Sequence, residues 1–241
     1  MRFTNKKILI TGGGSGIGFA LAERFISNGN SVIVCGRREQ VLDEAKQKLP
    51  LLVTKVCDLS SEQEREALYN WVSAEHPDLN ILVNNAGIQQ WMKIDDDDFF
   101  KRAKEEITTN IEAPVHLTYL FQKLESLSTI MNVTSGLSFV PLTKTPVYSA
   151  TKAFFRSFTK STRHLLKAKN IEVIEIIPPA LNTDLGGKGI HDTAPPVSGF
   201  IDSIFEQMDE GSNELTYGYT EQMSKAGADV FNPIFERMNQ A

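Results

Sequence analysis

The chain of 241 residues carries 25 Lys and Arg against 30 Asp and Glu, and 41% of its residues are hydrophobic. These values are typical of one soluble globular domain that needs no disulfide or structural metal to hold its core. The net charge of -5, spread over interspersed residues, argues against nucleic acid or a membrane as the main partner. The two cysteines cannot form a secreted-type framework, and no stretch resembles a signal peptide or a membrane span. We therefore expect a cytoplasmic protein that binds small molecules.

Short β-branched runs alternate with segments of helical periodicity along the chain. The strands are predicted at residues 7–11, 31–35, 51–56, 80–84, 129–134, 171–177 and 214–217. The helices are predicted at residues 16–28, 39–49, 61–75, 110–127 and 147–168. This alternation predicts a single α/β domain with a mostly parallel, doubly wound sheet and helices on both faces. In such sheets, ligands bind beyond the carboxyl ends of the strands.

Residues 182–199 form the one long segment without clear periodicity, and they include three nearby glycines and the pair Pro195-Pro196. A loop of this length inside a compact domain is usually functional, often as a lid. We expect it to border a substrate; the alternative is a disordered surface insertion.

A glycine-rich turn joins the first predicted strand to the first predicted helix. It has the pattern Thr-Gly-x3-Gly-x-Gly, from Thr11 to Gly18. Glycines let the backbone approach a pyrophosphate closely, and the helix N-terminus offers free N–H groups to it. No Gly-Lys-Ser/Thr follows, which excludes a Walker A loop. The turn therefore predicts dinucleotide contacts at Gly12, Gly14, Ser15, Gly16, Ile17 and Gly18.

The end of the second predicted strand indicates which dinucleotide is bound. An acid at this place accepts hydrogen bonds from the ribose hydroxyls of NAD(H). Here Gly36 is followed by Arg37 and Arg38, whose guanidinium groups suit a 2'-phosphate. NADP(H) is thus predicted over NAD(H), with plain solvated surface as the alternative interpretation of the two arginines.

Tyr148 and Lys152 stand one turn apart on one face of a predicted helix. A free phenol has a pKa of about 10, and a nearby cation lowers it. Tyr148 is thus a candidate proton donor or acceptor at a carbonyl oxygen, tuned by Lys152. Ser135, just after a predicted strand, offers a hydroxyl to the same oxygen.

Taken together, the motifs resemble those of the short-chain dehydrogenase/reductase family. They are Thr11-Gly12-x3-Gly16-x-Gly18, Asn84-Asn85-Ala86-Gly87, Ser135, Tyr148-x3-Lys152 and the stretch from Pro178 to Thr183. The resemblance implies a Rossmann-type domain with a seven-stranded parallel sheet and a nicotinamide cofactor. Its catalytic tetrad falls on Asn110, Ser135, Tyr148 and Lys152. Further segments, such as Pro-Pro-Ala-Leu-Asn-Thr-Asp-Leu, are similar to the DltE-like oxidoreductases of bacteria.

The resemblance also implies a role for each member of the tetrad. Tyr148 is the general acid/base, and Ser135 orients the substrate oxygen. Lys152 binds the nicotinamide ribose and lowers the phenol pKa, while Asn110 supports a water-mediated proton relay from Lys152.

Other cofactor contacts are implied by the same resemblance. Asp58 would accept from the adenine amino group. The nicotinamide carboxamide would meet Thr183. The remaining contacts are implied at Leu59, Asn85, Ala86, Gly87 and Pro178. Family members commonly have Gly where this chain has Pro179, which lacks an N–H and fixes its own φ.

The expected activity is NADP(H)-dependent interconversion of a small carbonyl compound and an alcohol by hydride transfer. Residues 1–135 would mainly bind the cofactor, and residues 136–241 would supply the catalytic helix, the substrate loop and the C-terminal segment. The alternatives are a non-catalytic nucleotide-binding redox sensor and a family epimerase or dehydratase. The histidines lack ligand spacing, so no metal site is expected. The resemblance implies a homodimer or homotetramer, for which Phe154, Phe155 and Phe158 offer a face unless they pack in the core.

Overall fold

A computed structural model describes residues 2–240, apart from the side chain of Ala228. Its strands are β1 (Lys7–Thr11), β2 (Ser31–Gly36), β3 (Val53–Val56), β4 (Ile81–Asn84), β5 (Thr129–Val133), β6 (Glu172–Ile177) and β7 (Glu214–Thr216). Its α-helices are α1 (Gly16–Ser27), α2 (Glu39–Lys48), α3 (Glu62–Glu75), α4 (Phe99–Ile107), α5 (Ala113–Phe121), α6 (Pro146–Leu165), α7 (Val197–Asp209), α8 (Tyr219–Lys225) and α9 (Ala228–Met238).

The seven strands form one sheet in the order β3-β2-β1-β4-β5-β6-β7, and every pairing is parallel. The predicted doubly wound sheet is confirmed. The strand order reverses between β1 and β4, because β2 lies on one side of β1 and β4 on the other. At such a reversal the connections leave in opposite directions and open a crevice at the carboxyl ends.

Helices cover both faces of this sheet. Side chains of β1 alternate between the faces: Ile8 and Ile10 join the core under α1, α2 and α7, while Leu9 joins the core under α3 and α5. Phe25 of α1 and Phe121 of α5 are fully buried in these two cores. The near-continuous apolar runs of the strands are explained by burial on both faces.

The region predicted as one helix at residues 110–127 differs from that expectation. The structure has α4, then a π-helical turn at Thr108–Glu112, then α5, which ends at Phe121. Only Ala103 and Glu106 of α4 are buried, while its apolar residues Phe100 and Ile107 recur at helical spacing on an exposed face. The π-helical turn carries Asn110, in keeping with the frequent occurrence of such turns at functional sites.

The C-terminal part adds three helices that the periodicity did not predict. Helix α7 begins at Val197, inside the segment expected to be loop through residue 199. Helix α9 lies near the loop before α6, where Phe231 contacts Phe139 and Asn239 accepts from the N–H of Thr143. Within residues 2–240 no helix has the length and apolar character to cross a membrane.

Candidate active site

The glycine turn after β1 has a backbone that residues with a side chain rarely adopt. Gly12 and Gly16 have φ of +63° and +54°, in the left-handed region. A Cβ on Gly13 would lie 2.3 Å from Val34, and one on Gly18 would lie 2.5 Å from the carbonyl oxygen of Gly12. The predicted pyrophosphate contacts therefore share one tight turn at the carboxyl end of β1.

The start of α1 lies open at this turn. Ser15 and Gly16 are exposed, and the side chain of Ser15 makes no capping hydrogen bond. The first N–H groups of the helix therefore keep their capacity to bind an anion.

Thr11 connects the glycine turn to the end of β4. Its hydroxyl oxygen accepts from the N–H groups of Asn85 and Ala86, both at 3.0 Å. The side-chain amide of Asn85 donates to the carbonyls of Thr11 and Gly12, at 2.8 and 3.2 Å. These hydrogen bonds join the glycine motif to the Asn-Asn-Ala-Gly motif, so residues 85–87, where cofactor contacts are predicted, lie against the glycine turn.

The two arginines after β2 lie exposed at the same edge. Neither Arg37 nor Arg38 forms an ion pair within the part of the chain that the structure describes. Asp58 lies within electrostatic reach of Arg37. The Ser60 N–H, with smaller contributions from the Ser60 hydroxyl and Arg37, lowers the pKa of Asp58 below its usual value. Leu59 beside it is buried.

Helix α6 places Tyr148 and Lys152 one turn apart, and both side chains are buried. Burial raises the pKa of Tyr148 above its usual value, and the Ser135 hydroxyl partly offsets this by hydrogen bonding. Ser135 follows β5 and also accepts from the N–H of Leu137 at 3.1 Å. Three members of the expected tetrad therefore meet beyond β5.

The ammonium group of Lys152 lies beneath this cluster. It donates to the carbonyl of Val133 at 2.9 Å and lies 5.6 Å from the ring centroid of Tyr148. Burial lowers the pKa of Lys152 to about 8. That Lys152 lowers the phenol pKa stays a prediction, since burial is the largest influence on the pKa of Tyr148 in this structure.

Asn110 joins the loop after β4 to helix α6. Its Oδ1 accepts from the N–H of Ile88 at 2.9 Å, and its Nδ2 donates to the Ile88 carbonyl and to Thr151, at 2.8 and 3.1 Å. A Cβ on Gly87 would lie 3.3 Å from Asn110 Oδ1 and 3.6 Å from Lys152 Nζ. Gly87 thus occupies the narrow space between two tetrad members.

The segment after β6 closes the other side of the site. The carbonyl of Pro178 accepts from the N–H of Gly136 at 3.0 Å, which fixes the strand end beside Ser135. Thr183 lies against the glycine turn, since a Cβ on Gly16 would be 3.5 Å from it. Pro179 is half-buried at the start of this loop. The loop bridges the expected pyrophosphate and carbonyl ends of the site.

The buried carboxyl group of Glu106 lies near the site, and no sequence motif could have indicated it. Glu106 is fully buried on α4, where its Oε1 accepts from the N–H of Gln90 and its Oε2 has no partner in the described structure. Burial raises the pKa of Glu106 to about 7. The side chain of Gln89 is buried against Gly186 of the loop after β6.

One cluster of metal-ligand types lies away from this site. Ligand atoms of Glu62, Glu66 and His116 lie within 4.8 Å of one another. Arg65 Nε donates to His116 Nδ1 at 3.1 Å, so in the neutral ring the proton sits on Nε2. That tautomer offers no free nitrogen, and the guanidinium repels a cation. The three residues do not fit a metal.

Comparisons with known proteins agree with this architecture. A family model described as short chain dehydrogenase matches residues 6–193. A Bacillus subtilis protein, "Uncharacterized oxidoreductase DltE", is 42% identical across 99% of this chain and 98% of its own length. Two solved structures have the same fold: a Burkholderia cenocepacia short chain dehydrogenase in complex with NADP (20% identity, TM-score 0.86) and a Burkholderia phymatum enzyme in complex with NAD (17% identity, TM-score 0.84). Both alignments cover all of this chain; the first covers all of the other protein and the second covers 97% of it. The chain therefore belongs to the short chain dehydrogenase/reductase family and is an oxidoreductase of the DltE-like type.

Proposed function

We propose that the protein interconverts a small carbonyl compound and an alcohol by hydride transfer with NADP(H). The observation that carries this proposal is the buried cluster of Ser135, Tyr148 and Lys152 beyond β5, with Asn110 bonded to α6 beside it. A phenol, a hydroxyl and an ammonium group at one point suit proton exchange at a carbonyl oxygen. Membership of an oxidoreductase family supports the same chemistry.

The residues present fit a nicotinamide dinucleotide. The positive φ of Gly12 and Gly16 and the uncapped start of α1 form a cradle for a pyrophosphate. A bound cofactor of this class would supply the hydride. Exposed Arg37 and Arg38 favour the 2'-phosphate of NADP(H), whereas the two similar folds named above occur with NADP and with NAD. NAD(H) is therefore the alternative.

The roles of the side chains follow from their environments. Because burial raises its pKa, Tyr148 keeps its proton at neutral pH and can donate it to a carbonyl oxygen during reduction. Ser135 orients that oxygen. Below about pH 8 Lys152 is charged, and this charge stabilises the phenolate that forms. Asn110 supports reprotonation by a relay from Lys152.

The test follows NADPH absorbance with a panel of small ketones and aldehydes. Tyr148→Phe should lower turnover at least about 100-fold and leave NADPH affinity within a few-fold. Arg37→Ser combined with Arg38→Ser should weaken NADPH binding about 10- to 100-fold and leave NADH binding unchanged. Undiminished turnover by Tyr148→Phe contradicts the mechanism. Tight NADPH binding without conversion of any carbonyl or alcohol indicates a redox sensor. Conversion of a substrate with tightly held cofactor that is not consumed indicates an epimerase or dehydratase.

We also infer that the protein assembles as a homodimer or homotetramer. Tyr119 of α5 and Phe154 and Leu165 of α6 expose 57%, 44% and 68% of their surface. Both helices lie on one face of the sheet, and exposed large apolar side chains are typical of an interface. Of the aromatic residues on α6, Phe155 packs in the interior and Phe154 does not.

A further inference from the structure

Helix α8 begins beside Ser135, although it lies far from it in sequence. Its first turn packs against the short 3-10 turn Gly136–Ser138 that follows Ser135. The Thr220 hydroxyl donates to the carbonyl of Ile177 at 2.9 Å and accepts from the N–H of Tyr217 at 2.9 Å. These bonds fix the start of the helix at the carboxyl ends of β6 and β7.

The phenol of Tyr219 lies over Gly136. A Cβ on Gly136 would lie 2.3 Å from the Tyr219 hydroxyl oxygen and 2.8 Å from the adjoining ring carbon. The hydroxyl thus takes the space that a side chain next to Ser135 would occupy. Glycine at position 136 is what admits a second phenol to the site.

Tyr219 is 40% exposed, and within residues 2–240 its hydroxyl makes no hydrogen bond; partial burial raises its pKa above the usual value. A negative charge on Tyr219 would raise the pKa of Tyr148, so the two phenols lie within electrostatic reach of each other. A protonated phenol without a partner, next to the two residues expected to bind a carbonyl oxygen, is a donor available to a ligand.

A carbonyl oxygen accepts at two lone pairs, and in the proposed function Ser135 and Tyr148 use both. A third donor at this point therefore suits a different acceptor. Tyr219 also lies outside residues 6–193, the part matched by the family model, so its side chain is a feature of this chain's C-terminal segment. Segments of this kind vary in shape and can select substrates.

We propose that Tyr219 contacts the substrate and donates a hydrogen bond to a second oxygen next to the reacting carbonyl group. The inference rests on the proposed function. It names a substrate class: carbonyl compounds with a neighbouring oxygen acceptor, such as a second carbonyl or a hydroxyl group. The phenol is then a specificity-determining residue, because simple ketones of similar size offer it nothing to bind.

The test compares 2,3-butanedione with 2-butanone, two ketones that differ in one oxygen acceptor. With NADPH, wild type should favour the dione at least about 10-fold in kcat/KM. Tyr219→Phe should lower kcat/KM for the dione about 5- to 10-fold, mainly through KM, and leave 2-butanone unchanged. Equal losses with both ketones, or no loss with either, would overturn the proposal.

A matched control is Tyr217→Phe. The Tyr217 hydroxyl lies 2.8 Å from where a Cβ on Gly199 would be, and its ring contacts Phe200 of α7. Removing that hydroxyl should leave the preference for the dione unchanged. Loss of the preference in Tyr217→Phe as large as in Tyr219→Phe contradicts the proposal.

Gly136→Ala provides a second, independent variant. Its methyl group should displace the Tyr219 ring and reduce the dione preference as Tyr219→Phe does. Gly136→Ala combined with Tyr219→Phe should lose no more of the dione preference than either change alone. Additive losses contradict a shared contact. An enzyme that reduces other carbonyls but does not distinguish the two ketones contradicts this inference alone, whereas turnover that survives Tyr148→Phe contradicts the proposed function.

Discussion

Glu106 places a carboxyl group in the protein interior, one turn before Asn110. It fixes the loop after β4 by accepting from the Gln90 N–H, yet its other oxygen has no partner among the described residues. Because burial raises the pKa of Glu106 to about 7, the native state retains a proton that the unfolded chain releases near pH 4.5. The contribution of Glu106 to the unfolding free energy is therefore fully present below about pH 4.5 and is lost as the pH rises through about 7.

Glu106→Gln should remove this pH dependence, since the amide carries no charge. The difference in unfolding free energy, variant minus wild type, should be about 1 to 3 kcal/mol larger at pH 8 than at pH 5. Urea denaturation at the two pH values measures this difference. Glu105→Gln, a change at the exposed neighbour, is the control and should shift both values equally. The same difference from wild type at pH 5 and pH 8 would show that Glu106 does not titrate in this range.

At this scale the sequence predicts the residues that belong to motifs and misses those that do not. Tyr148, Lys152 and Ser135 stand at recognisable spacings, and the structure brings them together. Glu106 and Tyr219 approach the same site from separate helices, and their proximity depends on packing between distant segments. Local periodicity gives no information about such packing, so the positions of Glu106 and Tyr219 beside the site are found only in the three-dimensional structure.

Among the helices, α6 is attached to β6 by a buried ion pair. Arg156 Nη1 lies 2.6 Å from Glu175 Oε2, while the hydroxyl of Thr134 donates to Glu175 Oε1 at 2.8 Å. Glu175 is fully buried, and its pKa is raised by burial despite these partners. The pair holds α6 at the angle that brings Tyr148 to Ser135.

Arg156→Leu should destabilise the protein by about 3 to 5 kcal/mol, because it leaves a buried carboxylate without its main partner. Changing Glu175 to Leu as well should recover most of that loss. Urea denaturation measures both effects. Lys160→Leu, at an exposed position on the same helix, should stay within about 0.5 kcal/mol of wild type. A loss below about 1 kcal/mol for Arg156→Leu would mean that the pair does not hold α6.

All seven strands are predicted to within two residues at each end, because all but the partly exposed edge strand β3 are buried apolar runs between turn signals. The helices are predicted less completely. Helix α4 buries only Ala103 and Glu106, and α7 begins just after Pro195-Pro196, in a segment dominated by loop residues. Helix α7 nonetheless buries an apolar face with helical spacing, from Phe200 to Met208, so its periodicity is present in the sequence and the loop residues before it obscure it.

For the whole molecule, the exposed apolar side chains of α5 and α6 predict self-association. Phe154→Glu places a charge among them and should shift the protein to a smaller assembly in size-exclusion chromatography with light scattering. Leu51→Glu is the control, since Leu51 is 77% exposed before the edge strand β3 and should leave the mass unchanged. An unchanged mass for both variants would place the interface elsewhere.

The all-parallel sheet also constrains how the chain folds. No two neighbouring strands are joined by a hairpin, so each pairing must close a loop that contains a helix before its hydrogen bonds form. The interior strand β1 is the first strand to be synthesised but gains its second neighbour only when Ile81–Asn84 has been made. Sheets of this kind fold slowly for their size. Until β4 has been made, the nascent chain carries an unpaired edge of β1 whose N–H and C=O groups can pair with other chains, so it is open to aggregation at this stage.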